Sequence, residues 1–417
     1  MMQCTRCKER DAVASLRNES VCAQCFTNYI NSKVIKRLEV LHRETRGPKD
    51  TGKPSLSAPP ARYLVALSRG PSSTALLHVL CENLRRLRAS GQRVRFEICA
   101  VVVRCDEMTE GEEEGGGGRG GEMAFREHFP EVQIYDIRLS SVLGSKAVDW
   151  SALPDLNEDL PPDRRLRDML LRLPTPSARA DVERLLVRHV LFRACDEYGC
   201  AALLFGHNTT ALAGLTVSET AKGRGFGIPW LVNDGAFPLP RSVDEAPTQN
   251  EGGEGRSVLV YSPIREVLRK EVLTFISLAA SPAGPLSDLF RAELGEESGA
   301  QKAVVSHREL SLDDVVSRYF ADVEENYPSV VANVVRTTGK LNRSAPGAHT
   351  HDQDISGENG HTDAKTAQCG LCGVRLDPVG DERWKGELGE DVAGEASAGE
   401  GKRRAKLCYG CERSVRG

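Results

Sequence analysis

Aromatic side chains are scarce in this chain. They make up 5% of its 417 residues, and three are tryptophan (Trp150, Trp230 and Trp384). That scarcity argues against base stacking as a main mode of nucleic-acid binding. No apolar run approaches the ~18 residues that a membrane span needs, so no membrane partner is expected. The N-terminal Met1-Met2-Gln3-Cys4 has no apolar signal core, which makes a reducing cytoplasm the expected compartment and disfavours disulfides. Strong net charge is missing too, but the value of −4 is misleading. Three Gly/Glu-rich tracts, 106–122, 245–256 and 377–401, carry −6, −2 and −6. Removing those 14 net negative charges from −4 leaves about +10 for the rest. A basic body wearing acidic inserts is compatible with nucleic acid, and equally with an ordinary solvated surface.

Composition and periodicity divide the chain. Residues 1–46 read as a small cysteine-bearing unit followed by a basic helix, and 47–61 as a Pro/Gly/Ser linker. From 62 to 341 short apolar runs alternate with helical patterns. Strands are expected at Tyr63–Leu67, Phe96–Val103, Val132–Ile137, Cys200–Phe205 and Val258–Tyr261. The clearest helix carries Val182, Leu185, Leu186, Val190 and Ala194 on one face and stops at Gly199. This alternation implies an α/β fold with a doubly wound, mostly parallel sheet, whose ligands sit at the carboxyl ends of strands. The tracts 106–122 and 245–256 bury too little apolar surface to fold and are expected to be disordered inserts. A linker is expected at 342–367, and a C-terminal module with an acidic Gly-rich insert at 368–417.

Cysteine is abundant. Eight of the 13 fall into four CxxC pairs: Cys4/Cys7, Cys22/Cys25, Cys369/Cys372 and Cys408/Cys411. Two such turns complete a tetrahedral Cys4 site. The N-terminal pairs lie 14 residues apart, close to the usual zinc spacing; the C-terminal pairs lie 35 apart, and whether they share one zinc is left open. Two closed structural zinc sites are the expectation. Cys81, Cys195 and Cys200 are expected to act as small buried hydrophobes.

Residues 68–73 read Ser-Arg-Gly-Pro-Ser-Ser between an apolar run and a helical pattern. Strand, Gly/Ser turn and helix aim backbone N–H groups at a phosphate. An active pyrophosphatase loop of this kind reads Ser-Gly-Gly-x-Asp-Ser. Arg69 stands at one glycine and Ser72 at the aspartate. Ser68, Gly70, Ser72 and Ser73 therefore either bind a phosphate without turnover or persist as a turn that the connection needs.

These motifs, with Gly206-His207-Asn208, Gly223-Arg224-Gly225, Tyr261-Ser-Pro-Ile-Arg265-Glu266 and the terminal cysteine pairs, occur in an order that resembles the ATP-pyrophosphatase (PP-loop) tRNA thiolases flanked by zinc modules. Within that group the chain looks most like the companion subunit of the catalytic thiolase. The resemblance covers most of the chain and implies an adenine-nucleotide alpha-hydrolase-like domain. Active members continue Gly-His-Asn with x-Asp-Asp, where this chain has Thr209, Thr210 and Ala211. They also carry a CxxC near residue 175, where this chain has Pro174-Thr-Pro-Ser-Ala178. The resemblance thus implies a subunit with no catalytic residues of its own and doubtful ATP binding. It would act as heterodimer partner of a catalytic paralogue in 2-thiolation of the wobble uridine (5-methoxycarbonylmethyl-2-thiouridine) of Lys, Gln and Glu tRNAs, with sulfur from a thiocarboxylated ubiquitin-like carrier.

His207 and Asn208 are read as remnants of the nucleotide site, with capping of the next helix as the alternative for the pair. Lys33, Lys36 and Arg37 form a basic stripe opposite Ile30, Val34, Leu38 and Leu41 and are the expected tRNA-phosphate contacts; a solvated helix face is the other reading. Arg184, Arg188 and Arg193 are weaker candidates for the same task. Two further functions stay open: an active ATP-dependent ligase or sulfurtransferase with a variant loop, and a zinc-module scaffold without a tRNA role.

Overall fold

The computed structural model describes residues 2–45, 59–105, 117–239, 257–290, 310–341, 368–376 and 407–417. Cys4 and Cys7 lie in the turn that precedes a hairpin, β1 (Ala14–Leu16) and β2 (Glu19–Val21), and Cys22 and Cys25 at the start of α1 (Ala23–Glu44). Phe26, Ile30, Val34, Leu38 and Leu41 line the buried stripe of α1 at helical spacing. The chain then alternates through β3 (Ala61–Ala66), α2 (Pro71–Ala89), β4 (Phe96–Arg104), α3 (Gly117–His128), β5 (Gln133–Arg138), α4 (Pro162–Leu171), α5 (Pro176–Glu197), β6 (Ala202–Phe205), α6 (Thr209–Ala221) and the short α7 (Ile228–Leu231). It closes the sheet with β7 (Gly235–Pro238) and β8 (Ser257–Tyr261), followed by α8 (Arg269–Leu278) and a two-residue ribbon of β9 (Ala280–Ser281) and β10 (Gly284–Pro285). Helices α9 (Leu312–Asn326), α10 (Pro328–Thr338) and α11 (Tyr409–Arg416) complete it.

Six strands form one sheet in the order β5-β4-β3-β6-β8-β7, parallel except for β7. The fold is thus the doubly wound, mostly parallel α/β class that the alternation implies. The five expected strands are all present. Edge strand β7 is missing from the sequence expectation: four residues, one of them proline, give no periodic signal, and an edge position tolerates Pro238. Strand β3 begins at Ala61, the last residue of the expected linker 47–61. Helix α3 begins at Gly117, inside the expected insert 106–122, because Phe125 and Phe129 bury themselves in the core and carry the helix toward its N-terminus. The remainder of that tract, the insert 245–256, the linker 342–367 and the acidic stretch before Cys408 lie outside the described residues.

Side chains alternate across the sheet. Leu64 faces a layer with α4, α5, α6, α9 and α10, whereas Tyr63 and Val65 face α1, α2 and α8. Both cysteine units are part of these layers. Cys4 and Cys22 pack with the second, and Cys369, Cys372, Cys408 and Cys411 with the first.

A buried ionic knot ties the C-terminal unit down. The Arg224 side chain is 1% exposed; its Nε donates to Glu219 at 2.7 Å, one terminal nitrogen reaches Asp181, and the other lies 3.8 Å from Cys411 Sγ. Lys222 adds bonds to Asp181 (3.0 Å) and Asp313 (2.6 Å), and Ser414 of α11 donates to Asp181 at 2.8 Å. Burial opposes ionisation of Asp181, but the Arg224, Arg184 and Lys222 cations outweigh it and hold the carboxyl below the usual range. Glycines make the approach possible. A Cβ on Gly223 (φ 84°) would sit 2.4 Å from the Tyr409 ring, and one on Gly410 would sit 2.6 Å from the Lys222 carbonyl oxygen. These contacts account for Gly223-Arg224-Gly225 as the seat of the C-terminal unit.

Removing one member of a buried ion cluster strands its partners. Arg224→Met is expected to lower unfolding stability by about 3–5 kcal/mol in chemical denaturation. Arg413→Gln, on the exposed side of α11, should change it by less than about 0.5 kcal/mol. Equal effects would refute the role given to the knot.

Candidate functional site

The expected phosphate loop sits at the carboxyl end of β3, and Pro71 opens α2 at the position where its fixed φ suits a helix. Arg69 has φ 62°, so the loop keeps a left-handed residue where active loops have glycine. Its hydroxyls face inward. Ser73 Oγ donates to the Gly70 carbonyl at 3.1 Å, Ser68 Oγ lies 3.1 Å from Ser73 Oγ, and Thr74 Oγ1 donates to the same carbonyl at 3.0 Å.

The end of β6 meets this loop closely. A Cβ on Gly206 would lie 2.7 Å from Ser73 Cα, so only glycine fits. Asn208 is buried and fully used: its Oδ1 accepts the Ala211 N–H at 2.8 Å, capping α6, and its Nδ2 donates to Ser72 Oγ at 2.9 Å. Of the two readings of Asn208, the helix cap is the one seen, and the same side chain also clamps the loop. His207 stacks on Phe205 at 5.0 Å, and burial, aided by Arg188 and Arg184, lowers its pKa to about 4. Thr209 Oγ1 donates to the Arg265 carbonyl at 2.8 Å. Thr210 donates to the buried Glu324 of α9, whose carboxylate also accepts the backbone N–H of Arg269 (3.2 Å) and Lys270 (2.7 Å) at the start of α8. The expected nucleotide residues therefore come together, but Ser72 and Thr210, which stand at acid positions, are held in internal hydrogen bonds. Thr175 caps α5, accepting from the Ala178 N–H at 3.1 Å, where active relatives carry cysteines.

Beside the loop, Arg69, Arg104 and Arg126 converge on Asp136 at 3.1, 3.0 and 3.1 Å. This cluster has no local signature, because its members belong to four separate segments.

Most of the expected RNA-binding cations have protein partners. Lys33 pairs with Glu266 at 2.8 Å and Arg37 with Asp234, locking α1 onto the sheet. Lys36 is exposed, with no ion pair among the described residues. Arg184 belongs to the Asp181–Glu219 knot, Arg188 lies 4.3 Å from the Phe237 ring centroid, and Arg193 donates to Ser141 at 2.7 Å. Those three are structural, and the stripe on α1 is in large part an interdomain lock. Periodicity shows which face a cation occupies but not a partner some 200 positions away.

The eight paired cysteines form two groups, Cys4/Cys7/Cys22/Cys25 and Cys369/Cys372/Cys408/Cys411, with the sulfurs of each within 4.8 Å of one another. A metal–sulfur distance of about 2.3 Å puts tetrahedral sulfurs about 3.8 Å apart. Cys7 and Cys22 are 3.8 Å apart, as are Cys372 and Cys408, so each set fits a single four-coordinate ion and the distant C-terminal pairs do share one site. The Cys7 backbone N–H, with those of Cys22 and Arg6, draws the Cys4 thiol down to about 6, while hydrogen bonding with Cys22 pushes Cys25 up to about 12. Cys81 and Cys195 are buried as expected; Cys200 is half-buried, with its sulfur 3.6 Å from that of Cys99.

Fold and site together define an α/β protein built on a phosphate-loop sheet, with its loop turned inward and a tetra-thiol centre on each face. A family profile described as cytoplasmic tRNA 2-thiolation protein 2 matches residues 311–413. Proteins of that name from Phaeosphaeria nodorum (32% identical) and Pyrenophora tritici-repentis (31%) align over 99% of this chain and 94% of their own length. The chain belongs to the cytoplasmic tRNA 2-thiolation protein 2 family. It is also similar to a U34-tRNA thiolase from Methanococcus maripaludis, solved with its 4Fe-4S cluster, at 16% identity and a TM-score of 0.49 over 91% of this chain and 94% of that one. Among the described residues no helix is long and apolar enough to cross a membrane.

Metal analysis of the purified chain should return two ions per molecule, and one after Cys7→Ser with Cys25→Ser. Two ions retained in that double variant would contradict the N-terminal site.

Proposed function

We propose that this chain is the non-catalytic, tRNA-binding subunit of a cytoplasmic complex that 2-thiolates tRNA. Family membership supports the tRNA 2-thiolation role. The observation that carries the non-catalytic part is the fate of the acid positions: Ser72 is clamped by Asn208, Thr210 is spent on Glu324, and Ala211 has no polar side chain. Thiolation of uridine needs the C2 oxygen activated by adenylation and AMP then displaced by sulfur. The first half calls for charge on a metal–phosphate unit and the second for a sulfur-handling thiolate. Here the loop offers hydroxyls engaged with their own backbone, and Thr175 is a helix cap.

In this reading the catalytic thiolase paralogue supplies the chemistry as heterodimer partner, and sulfur arrives on a thiocarboxylated ubiquitin-like carrier. The target is the wobble uridine of Lys, Gln and Glu tRNAs, carried to 5-methoxycarbonylmethyl-2-thiouridine. Lys36 contacts tRNA phosphate directly, while Lys33 and Arg37 fix the helix that presents it. The ions in the two cysteine centres are zinc. All-cysteine, closed tetrahedral sites suit zinc and leave no open position for chemistry, so the metal stiffens the modules.

The test is 2-thiouridine formation from tRNA, ATP and a sulfur donor, with this chain alone, the paralogue alone, and both. Product only from the mixture, or far above the paralogue alone, is expected. Product from this chain alone would overturn the assignment.

A further inference from the structure

We propose that the groove between the N-terminal cysteine module and α10 binds a single-stranded stretch of RNA backbone, with Arg17, Arg336 and Lys340 as its phosphate contacts. The inference rests on the tRNA reading above and adds a place and a ligand form to it. The groove has a volume of about 600 Å³. Its walls come from six segments: the β1–β2 turn, α1, the start of α6, the residues before β7, the loop after β8, and α10 with the residues just beyond it.

Six cations line it, Arg17, Lys33, Arg37, Arg265, Arg336 and Lys340, against two carboxylates, Asp234 and Glu266. The carboxylates are already taken. Asp234 receives Arg37 and, at 3.2 Å, Arg265, while Glu266 receives Lys33. The other three cations have a weak partner or none. Arg17 is 59% exposed and pairs only loosely with the buried Glu271, at 3.8 Å. Arg336 bonds the neutral Asn333 amide oxygen at 3.0 Å. Lys340 Nζ has no partner among the described residues.

Two unpaired cations at the C-terminal end of α10 and a third, Arg17, loosely paired on the β1–β2 turn raise the local potential and favour a polyanion there. Guanidinium and ammonium groups match phosphate oxygens. No aromatic ring lines the groove, so it holds backbone and does not stack bases. A space of this order, the size of an ordinary small-ligand pocket, suits one or two nucleotides of a single strand. An acidic protein partner fits less well. Such interfaces are built around a buried aromatic or aliphatic anchor pocket, and here only Ala332 and Val335 are apolar. Thr209 forms part of the wall, so the groove begins one residue from Asn208 and the inward-turned loop.

The test uses the full chain and labelled tRNA, with affinity followed from about 50 to 200 mM salt. The variants are Arg17→Gln, Arg336→Gln, Lys340→Gln and the triple, with Arg413→Gln as control. Each groove variant should weaken binding severalfold and flatten the log–log salt slope by about 0.7, the triple by about 2. Short single-stranded RNA should compete, and duplex RNA of the same length should not. Unaltered thermal midpoints, expected at these exposed positions, keep the comparison clean. If the wild type binds tRNA and the triple variant matches it, the groove is not the site although the tRNA reading stands. If the triple variant instead loses its hold on the catalytic paralogue, the surface is a protein interface. If the wild type binds no tRNA, the reading itself fails.

Discussion

The close pass of the β6 end against the first turn of α2 is the contact on which the site depends. With Gly206 backbone against Ser73 backbone, no side chain can stand between the two strand ends. The adjoining Asn208 then reaches Ser72 with one end of its amide and caps α6 with the other. A phosphate loop placed this way is needed for the packing of three elements whether or not it meets a phosphate. That explains how the shape persists with the acids replaced. Arg69 follows the same logic: a left-handed, non-glycine residue costs about 1–2 kcal/mol, and the pairing with Asp136 offsets part of that.

Two ionic knots carry the rest of the architecture. Arg224 with Asp181 and Glu219 seats the C-terminal module on one face of the sheet. Asp234 with Arg37 and Arg265, and Glu266 with Lys33, seat the N-terminal helix on the other. Many of the basic side chains in the body of the chain are therefore structural. What is left for RNA is narrower than the charge count suggests, and it gathers where the second knot meets α10.

The sheet was legible because buried parallel strands are continuous apolar runs bounded by turn residues. The metal ligands were legible because CxxC spacing is a local pattern. Edge strand β7 and the start of α3 were not, since one is too short and the other lies in a glycine-rich tract. The roles of Arg224 and Thr210, and the hold of Asn208 on Ser72, were hidden for another reason. Each depends on a partner that only the fold brings near: Arg224 to Cys411 spans 187 positions, and Thr210 to Glu324 spans 114. Lys33 and Arg37 belong to the same class, and a helical wheel cannot tell a free cation from one locked to a distant carboxylate.

The most direct test of the central claim, a loop retained for packing and without adenylation chemistry, is magnesium-dependent ATP–pyrophosphate exchange by the purified chain in the presence of tRNA. The account predicts exchange no faster than the protein-free background. Exchange above that background, abolished by substitution in residues 68–73, would contradict it.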